Sequence, residues 1–406
     1  MRPHSTFAAA ILVAGVLSGL VGAFITLLVR GVQHLTYGYV QGPLLLGVSA
    51  ATPERRLLGP ALGCAAAGLG WWLLRRRATV PGLNHAIRAD RPFAPLPMSI
   101  DAVLQVLAVG SGASLGREQA PRMLAAVGTE LLIRSGSLPP EQRRMVLGGA
   151  AGAGLAAVYD VPAAGVLFTL GIVLRSWRPS AILVAVATSS LATVTAWPVS
   201  HGAPTFAWPS TDVTAQSAWA ALAVIPVAAL VGAGFNQLMR RSRPPAPPTS
   251  WILVPAIGLA GLATGLASIW LPELPGNGKS VVLESLSGSA PLAVAAIAML
   301  LKPALTALFI RCGALGGMIT PALSTGAATG AFVALGVQHL GGHASVPATA
   351  LIGGAAVLGV TQRAPVFAAV FTAELTHPPL DVCALLLIAA LGVHAMGWIG
   401  RQFIWS

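Results

Sequence analysis

Long apolar runs follow one another along almost the whole chain, separated by short polar or glycine- and proline-rich breaks. Within most runs the apolar residues continue without the alternation expected of strands, so the pattern predicts helices. Some of these runs reach the roughly 20 residues that a helix needs to cross a bilayer, and others are clearly shorter. The predicted apolar segments are Phe7–Val29, Leu57–Leu74, Met98–Val109, Gln119–Ile133, Met145–Val158, Ala163–Leu174, Ala181–Trp197, Ala218–Met239, Trp251–Trp270, Leu292–Phe309, Ala322–Val337, Ala348–Val360, Val366–Leu375 and Leu380–Phe403.

Four breaks between apolar segments contain glycine or proline, at Gly110–Pro121, Val161–Pro162, Gly313–Pro321 and Ala364–Pro365. Lipid cannot satisfy the backbone groups that such breaks expose, so we expect them to line a cavity or an ion path. The sequence therefore predicts an all-α polytopic membrane protein with short, broken and re-entrant helices.

The breaks also repeat. Gly116–Pro121 lies 200 positions before Gly316–Pro321, and Val161–Thr169 lies 203 positions before Ala364–Thr372. Because the order is kept and the offset is nearly constant, we interpret the chain as a duplicated half, with a first transmembrane repeat at 1–240 and a second at 241–406. We expect no soluble domain. Paired broken helices in two repeats point to a binding site where the repeats meet.

Composition supports the membrane interpretation. The chain is 55% hydrophobic and 9% charged, whereas a soluble domain carries roughly 25% charged residues. Its net charge of +12 comes from basic clusters beside apolar segments, such as Arg75–Arg77 and Arg240–Arg243. Such clusters are typical of cytoplasmic loops, so we expect a multi-pass protein of the cell membrane with a cytoplasmic N-terminus. Without interleaved aromatic residues they do not indicate nucleic-acid binding.

The motif with the clearest chemistry is Gly112–Pro121, which places Glu118 where a helix begins between two apolar segments. A charged side chain within a membrane is costly and marks function. Glycines allow backbone amides to approach a ligand, and the N-terminus of a helix favours an anion. A carboxylate at that place can occupy the anion's position and leave when it is protonated, which is a gate. The alternative is a structural acid that pairs with Arg117 or caps the helix.

These motifs resemble the CLC family of chloride channels and chloride/proton antiporters. The family's G-[KR]-E-G-P appears as Gly116–Ala120, and its G-x-F-x-P appears as Gly317–Pro321. Two further runs, Gly152–Phe168 and Gln362–Thr376, resemble family segments in the same order. The resemblance implies a CLC-like inverted internal repeat, transport of chloride or another small anion, and a homodimer with one pore in each subunit. We expect the dimer interface around Met145–Val173 and Val366–Leu387.

The resemblance also implies a set of site residues, with Glu118 as the gate. The expected anion-binding residues are Gly116, Arg117, Glu118, Gln119, Gly317, Met318, Ile319, Ala78 and Thr79. Most of them would act through backbone amides. Glu130 is a candidate proton relay, with pairing to Arg134 as the alternative. We expect no metal site, cofactor or enzymatic activity.

The chain departs from the family at three places. Ala78, with Thr79 beside it, stands where the family has a serine that touches the central ion. Gly171 and Ile172 stand where a second acid delivers protons in the antiporters. The family's C-terminal tyrosine has no counterpart. We therefore expect no tight coupling to protons.

Two other functions stay open. The fluoride/proton antiporters of the same fold also lack the serine and the tyrosine and carry Thr-Pro after the second break, as Thr320-Pro321 does here. They have an acid before that pair, where this chain has Met318. The other alternative is a non-conducting membrane scaffold, against which the retention of Glu118 argues.

Overall fold

The computed structural model describes residues 3–134, 138–209 and 214–404. This part of the chain is built from α-helices, and the extended pairing found in it is a single bridge between Gly116 and Gly317. A π-helical segment, Phe168–Leu174, continues helix α8. The helices are α1 (Pro3–Tyr37), α2 (Leu44–Ala50), α3 (Pro53–Arg75), α4 (Leu83–Arg88), α5 (Pro95–Gly110), α6 (Gln119–Ile133), α7 (Pro140–Tyr159), α8 (Pro162–Leu167), α9 (Pro179–Ser200), α10 (Ala215–Leu222), α11 (Val224–Ser242), α12 (Leu253–Trp270), α13 (Lys279–Ser287), α14 (Leu292–Arg311), α15 (Ile319–His339), α16 (Val346–Gln362), α17 (Pro365–Thr376) and α18 (Leu380–Ile404).

Seven of the described helices are long and apolar enough to cross a membrane: α1, α3, α9, α12, α14, α15 and α18. Several others are apolar but shorter, among them α5 and α16. This mixture confirms the predicted class, an all-α membrane protein with short and broken helices.

The helix boundaries follow the glycine and proline breaks. Helix α6 begins at Gln119 and α15 begins at Ile319, which reproduces the 200-residue offset of the sequence motif. Helices α8 and α17 begin at Pro162 and Pro365, where proline is well tolerated because the first turn needs no N–H donor.

Three short helices, α2, α4 and α13, were not expected because each has at most nine residues. The predicted segment Ala218–Met239 is two helices, which meet at Ala223.

The chain forms two compact units. The first unit contains Met1–Gly31, Gly70–Leu107 and Arg117–Thr205, and the second contains Val32–Leu69, Ala108–Gly116 and Phe206–Ser406. The units are thus interleaved along the sequence, and the chain passes from the second to the first between Gly116 and Arg117. The division into repeats at 1–240 and 241–406 concerns the sequence motifs and stays a prediction.

In the first unit, helix α7 packs against α6, α8 and α9. Small residues allow this close approach: Ala153 and Ala157 of α7 pack against Ala192 and Ala196 of α9. Every residue of α7 from Met145 to Tyr159 is buried within the chain itself. That stretch therefore offers no surface to a second copy, and the part of the expected dimer interface that falls on it is wrong.

In the second unit, helices α15 and α16 form the most extensive helix pair, again through small residues. A Cβ atom added to Gly330 would lie 2.0 Å from the Thr349 carbonyl oxygen, and one added to Gly326 would lie 2.3 Å from that of Gly353. Backbones this close depend on glycine, as is usual where membrane helices pack tightly.

Candidate anion site

Glu118 lies at the N-terminal end of α6, as its N-cap residue, and its side chain is fully buried. The loop before it begins with a sharp turn at Gly112, whose φ is +115°. A Cβ at this position would lie 2.4 Å from the Tyr37 hydroxyl oxygen. Both the positive φ and the lack of room for a Cβ atom therefore require glycine. Tyr37 in turn donates to the Ser111 carbonyl at 3.4 Å. The predicted gate therefore follows a loop of fixed shape.

Gly116 and Gly317, which are expected anion ligands from the two repeats, are bonded to each other. The Gly116 N–H donates to the Gly317 carbonyl at 2.7 Å, and the Gly317 N–H donates to the Gly116 carbonyl at 2.8 Å. Both amides are thus occupied, and the expectation that they bind the anion is corrected. These glycines instead join the loop that precedes Glu118 to the loop that precedes Met318. Long-range pairing of this kind has no signal in the sequence.

The second-repeat start carries the other expected backbone ligands. Met318 is the N-cap residue of α15 and is half-buried, whereas Ile319 is buried. The exposed Arg243 places its Nη2 atom 3.8 Å from the Met318 sulfur. The first N–H groups of a helix have no acceptor within the helix, so this start and that of α6 are both suited to an anion.

Ala78 and Thr79 lie in the irregular segment between α3 and α4. The Ala78 N–H donates to the Leu74 carbonyl at 2.9 Å, and Ala78 has no hydroxyl to offer an ion. The Thr79 side chain is exposed. The structure therefore provides no buried hydroxyl at this family position.

Two arginines flank Glu118 on the same stretch of chain. Arg117 is 7% exposed; its guanidinium lies 5.0 Å from the centre of the Tyr159 ring and donates to the Val158 carbonyl at 3.3 Å. Gln119, the first residue of α6, is half-buried.

The second arginine, Arg122, was not expected from the motif. It follows Glu118 by one helical turn, and the charge of Glu118 acts on it. Its Nη2 atom donates to Asn84 Oδ1 at 2.7 Å, and its guanidinium lies 4.3 Å from the centre of the Phe168 ring. A signal was present in the sequence, because an arginine four residues after a functional acid on an apolar helix faces the same side.

Glu130, the candidate proton relay, pairs with Arg143 at 2.5 Å. Its expected partner Arg134 is exposed and follows the last turn of α6. Arg143 comes from the start of α7 and also pairs with Asp90. These charged side chains line an open pocket of about 450 Å³.

The segment that would carry the antiporters' second acid is the π-helical one. Gly171 is exposed and Ile172 is half-buried. Arg88 of α4 donates to the carbonyl oxygens of Ile172 and Val173, the latter at 2.8 Å. A positive charge therefore contacts this segment.

Lys302, inside α14, is fully buried and was also missed. Its Nζ atom donates to the carbonyl oxygens of Leu274 at 2.8 Å and Gly276 at 2.6 Å. The Gly276 N–H donates to the Gly112 carbonyl at 3.0 Å. Ser114 bonds the Thr306 hydroxyl, one turn after Lys302, at 3.1 Å. Hydrogen bonds from Lys302 and Thr306 of α14 therefore stabilise the loop that leads to Glu118, and Lys302 acts through Gly276.

Comparison with known proteins gives a consistent result. Residues 63–397 match the voltage gated chloride channel family. The chain is 30% identical over 350 residues to the voltage-gated ClC-type chloride channel ClcB of Escherichia coli O157:H7 (strain EC4115 / EHEC), with 82% of each protein covered.

Solved structures share the fold. A slow cyanobacterial Cl⁻/H⁺ antiporter superposes with a TM-score of 0.82 at 20% identity, covering 96% of this chain and 93% of that one. A CLC-type fluoride/proton antiporter gives a TM-score of 0.67 at 20% identity, with 96% and 94% covered.

Proposed function

The chain belongs to the voltage-gated chloride channel (CLC) family and is a membrane protein of anion transport; from this premise we propose that it carries chloride along a pathway gated by the Glu118 carboxylate. When ionised, the carboxylate occupies the anion's place at the start of α6. Protonation removes its charge, and the side chain then yields the place to chloride.

The observation that carries this proposal is the burial of Glu118 at that helix start, beside Arg117 and one turn before Arg122. A charged residue in the centre of a membrane costs roughly 2.5–3.5 kcal/mol on insertion scales. The positive end of the α6 dipole and the two arginines offset that cost for a carboxylate, and they do so equally for a small anion that replaces it.

We name chloride as the transported ion because the relative described above is a chloride channel by name. Fluoride stays the alternative, since a fluoride/proton antiporter shares the fold. The sequence of the second-repeat start separates the two only partly, because Thr320-Pro321 is shared while Met318 stands where that branch has an acid.

Transport by this chain is not tightly coupled to protons in our proposal. Arg88 contacts the segment around Gly171 and Ile172, and a cation there repels a proton. Glu130 is held by Arg143 and lies twelve residues beyond Glu118, about 18 Å along a helix at roughly 1.5 Å per residue. Neither place therefore provides a second acid close enough to Glu118 to pass protons to it at a fixed ratio to chloride.

The proposed assembly is a homodimer with one pathway in each subunit, in the cell membrane with a cytoplasmic N-terminus. The exposed apolar residues of α17 and α18, such as Val366 and Leu387, support the second half of the expected interface. Basic loops such as Arg75–Arg77 support the orientation.

The experiment is ion efflux from liposomes that contain the purified protein and are loaded with chloride or fluoride. Ion-selective electrodes measure the release, and a pH electrode measures proton movement. We expect chloride release without uphill proton movement. Fluoride release with proton uptake at a fixed ratio would contradict the proposal and favour the fluoride antiporter. Ion release equal to that of loaded liposomes without protein would favour the scaffold.

A further inference from the structure

The contacts of Arg122 do not offset the free-energy cost of placing a charged side chain inside a membrane protein. The residue is half-buried, and its Nε atom is buried with no hydrogen-bond partner among the described residues. The ion pairs seen among the described residues join Arg143 to Asp90 and Glu130 and Arg178 to Glu141, and none of them includes Arg122. Its attraction to Glu118 therefore acts over more than the length of a direct ion pair. An ionisable residue within a membrane protein that lacks a full set of partners marks a functional site.

The position of Arg122 is fixed by three segments of the first unit. Helix α6 supplies the residue, and Asn84 at the start of α4 accepts its Nη2 hydrogen bond. The guanidinium carbon lies 4.3 Å from the ring centre of Phe168, at the start of the π-helical segment. The ring stabilises the positive charge without neutralising it, and the Nε–H group is left without an acceptor. The guanidinium is thus a fixed cation that cannot lose its proton in a protein.

The second repeat shows that the fold does not need this charge. The position 200 residues later is Ala322, fully buried in the first turn of α15. Pro121 and Pro321 immediately precede the two residues, so the local backbone plan is shared while the cation is present in one copy. The charge therefore serves chemistry at the first helix start.

We infer that Arg122 is an anion-binding residue that alternates between two partners, the Glu118 carboxylate when the gate is closed and the transported anion when the gate is open. The ligand class is a small monovalent anion. This inference rests on the proposed gate at Glu118. When the carboxylate leaves, the guanidinium retains its charge, and an anion that enters at the start of α6 restores neutrality. Arg122 thereby favours the occupied open state over an empty one.

The test is chloride binding by titration calorimetry, in a chloride-free buffer, to the purified protein carrying Arg122→Met or Arg122→Lys. Each change is made in the natural chain and in a Glu118→Gln background. In Glu118→Gln the anion has no carboxylate competing for Arg122, so Arg122→Met should weaken chloride binding about tenfold or more. In the natural chain the loss should be smaller, because Arg122 stabilises the competing carboxylate as well. Arg122→Lys keeps the charge but loses the planar guanidinium held over Phe168, so its chloride affinity should lie between that of the parent and that of Arg122→Met.

Arg88→Met is the matched control, because Arg88 is an arginine of the same unit that donates to backbone carbonyls; its chloride affinity should equal that of the parent. Unchanged affinity in Arg122→Met with Glu118→Gln would overturn the inference. So would equal losses in the two backgrounds, or an Arg122→Lys variant as weak as Arg122→Met, since each is what a merely structural role produces. Failure of the gate itself is seen separately, in the pH profile of chloride efflux from Glu118→Gln with Arg122 intact.

Discussion

The starts of α6 and α15 are built on one backbone plan but carry different chemistry. Each follows a glycine in the left-handed region, Gly112 with φ +115° and Gly313 with φ +89°, and the paired residues Gly116 and Gly317 join the two loops. At the first start stand Arg117, Glu118 and Arg122. At the corresponding second-repeat positions stand Gly317, Met318 and Ala322.

This difference separates what the fold needs from what transport needs. Glycines and prolines recur because both loops must turn sharply and start a helix, whereas the three charges occur once. Since charges within a membrane are costly, their restriction to the first start supports our proposal that the gate lies there. In our proposal the second start contributes uncharged backbone N–H groups.

The largest effect on stability is expected from Lys302, the residue of the second unit that braces the first-repeat loop. Lys302→Met removes the donor for the Leu274 and Gly276 carbonyl oxygens and leaves both buried. We expect a loss of about 3 kcal/mol in the free energy of unfolding, from two unsatisfied acceptors. Thermal unfolding in detergent measures it. Lys279→Met, at the chain's other lysine, should lower the midpoint temperature of unfolding far less. Equal shifts in the two variants would show that Lys302 does not stabilise the loop.

A smaller and symmetric effect is expected from the two glycines that shape the loops. Gly112→Ala meets the Tyr37 hydroxyl at 2.4 Å, and Gly313→Ala meets Pro248 Cγ at 2.7 Å. Each substitution also places alanine at positive φ, so each should cost about 1–3 kcal/mol. The control is Gly234→Ala in α11, where an added Cβ has nothing within 4 Å. A large loss of stability in one variant and none in the other would show that the two loops do not share one backbone conformation.

The sequence predicted these loops well because glycine and proline fix local geometry. The start of α6 at Gln119 was predicted to the residue, and α15 begins three residues before the predicted Ala322, since Pro321 lies inside its first turn. Features made by distant residues were not predictable. The bond between Gly116 and Gly317, and the brace from Lys302, join positions that are remote in the chain.

The candidate site shows the same limit. Glu118 was proposed from the sequence because its motif is local, whereas Arg122 was passed over because its partners Asn84 and Phe168 belong to other segments. Glu130 was matched to Arg134 by helical spacing, but that helix ends there, and Arg143 of the next helix takes the pair.

The smallest effect is expected from Glu130, the other acid of the first-repeat helix; the second-repeat position is Gly330. Glu130→Gln removes one partner of Arg143, which keeps Asp90. Stability should fall by about 1 kcal/mol or less, as for partly exposed ion pairs. Chloride efflux and proton movement in liposomes should both be unchanged. A selective loss of proton movement would make Glu130 the relay and contradict uncoupled transport.

The central claim, that the charged start of α6 and not its uncharged counterpart is the gate, is tested most directly by the pH dependence of chloride efflux. The comparison is among the natural chain, Glu118→Gln and Met318→Gln, reconstituted in liposomes at equal protein content. The glutamine at 118 resembles a permanently protonated gate, so efflux should become independent of pH, while Met318→Gln should keep the natural profile. A Glu118→Gln profile identical to that of the natural chain would contradict the account.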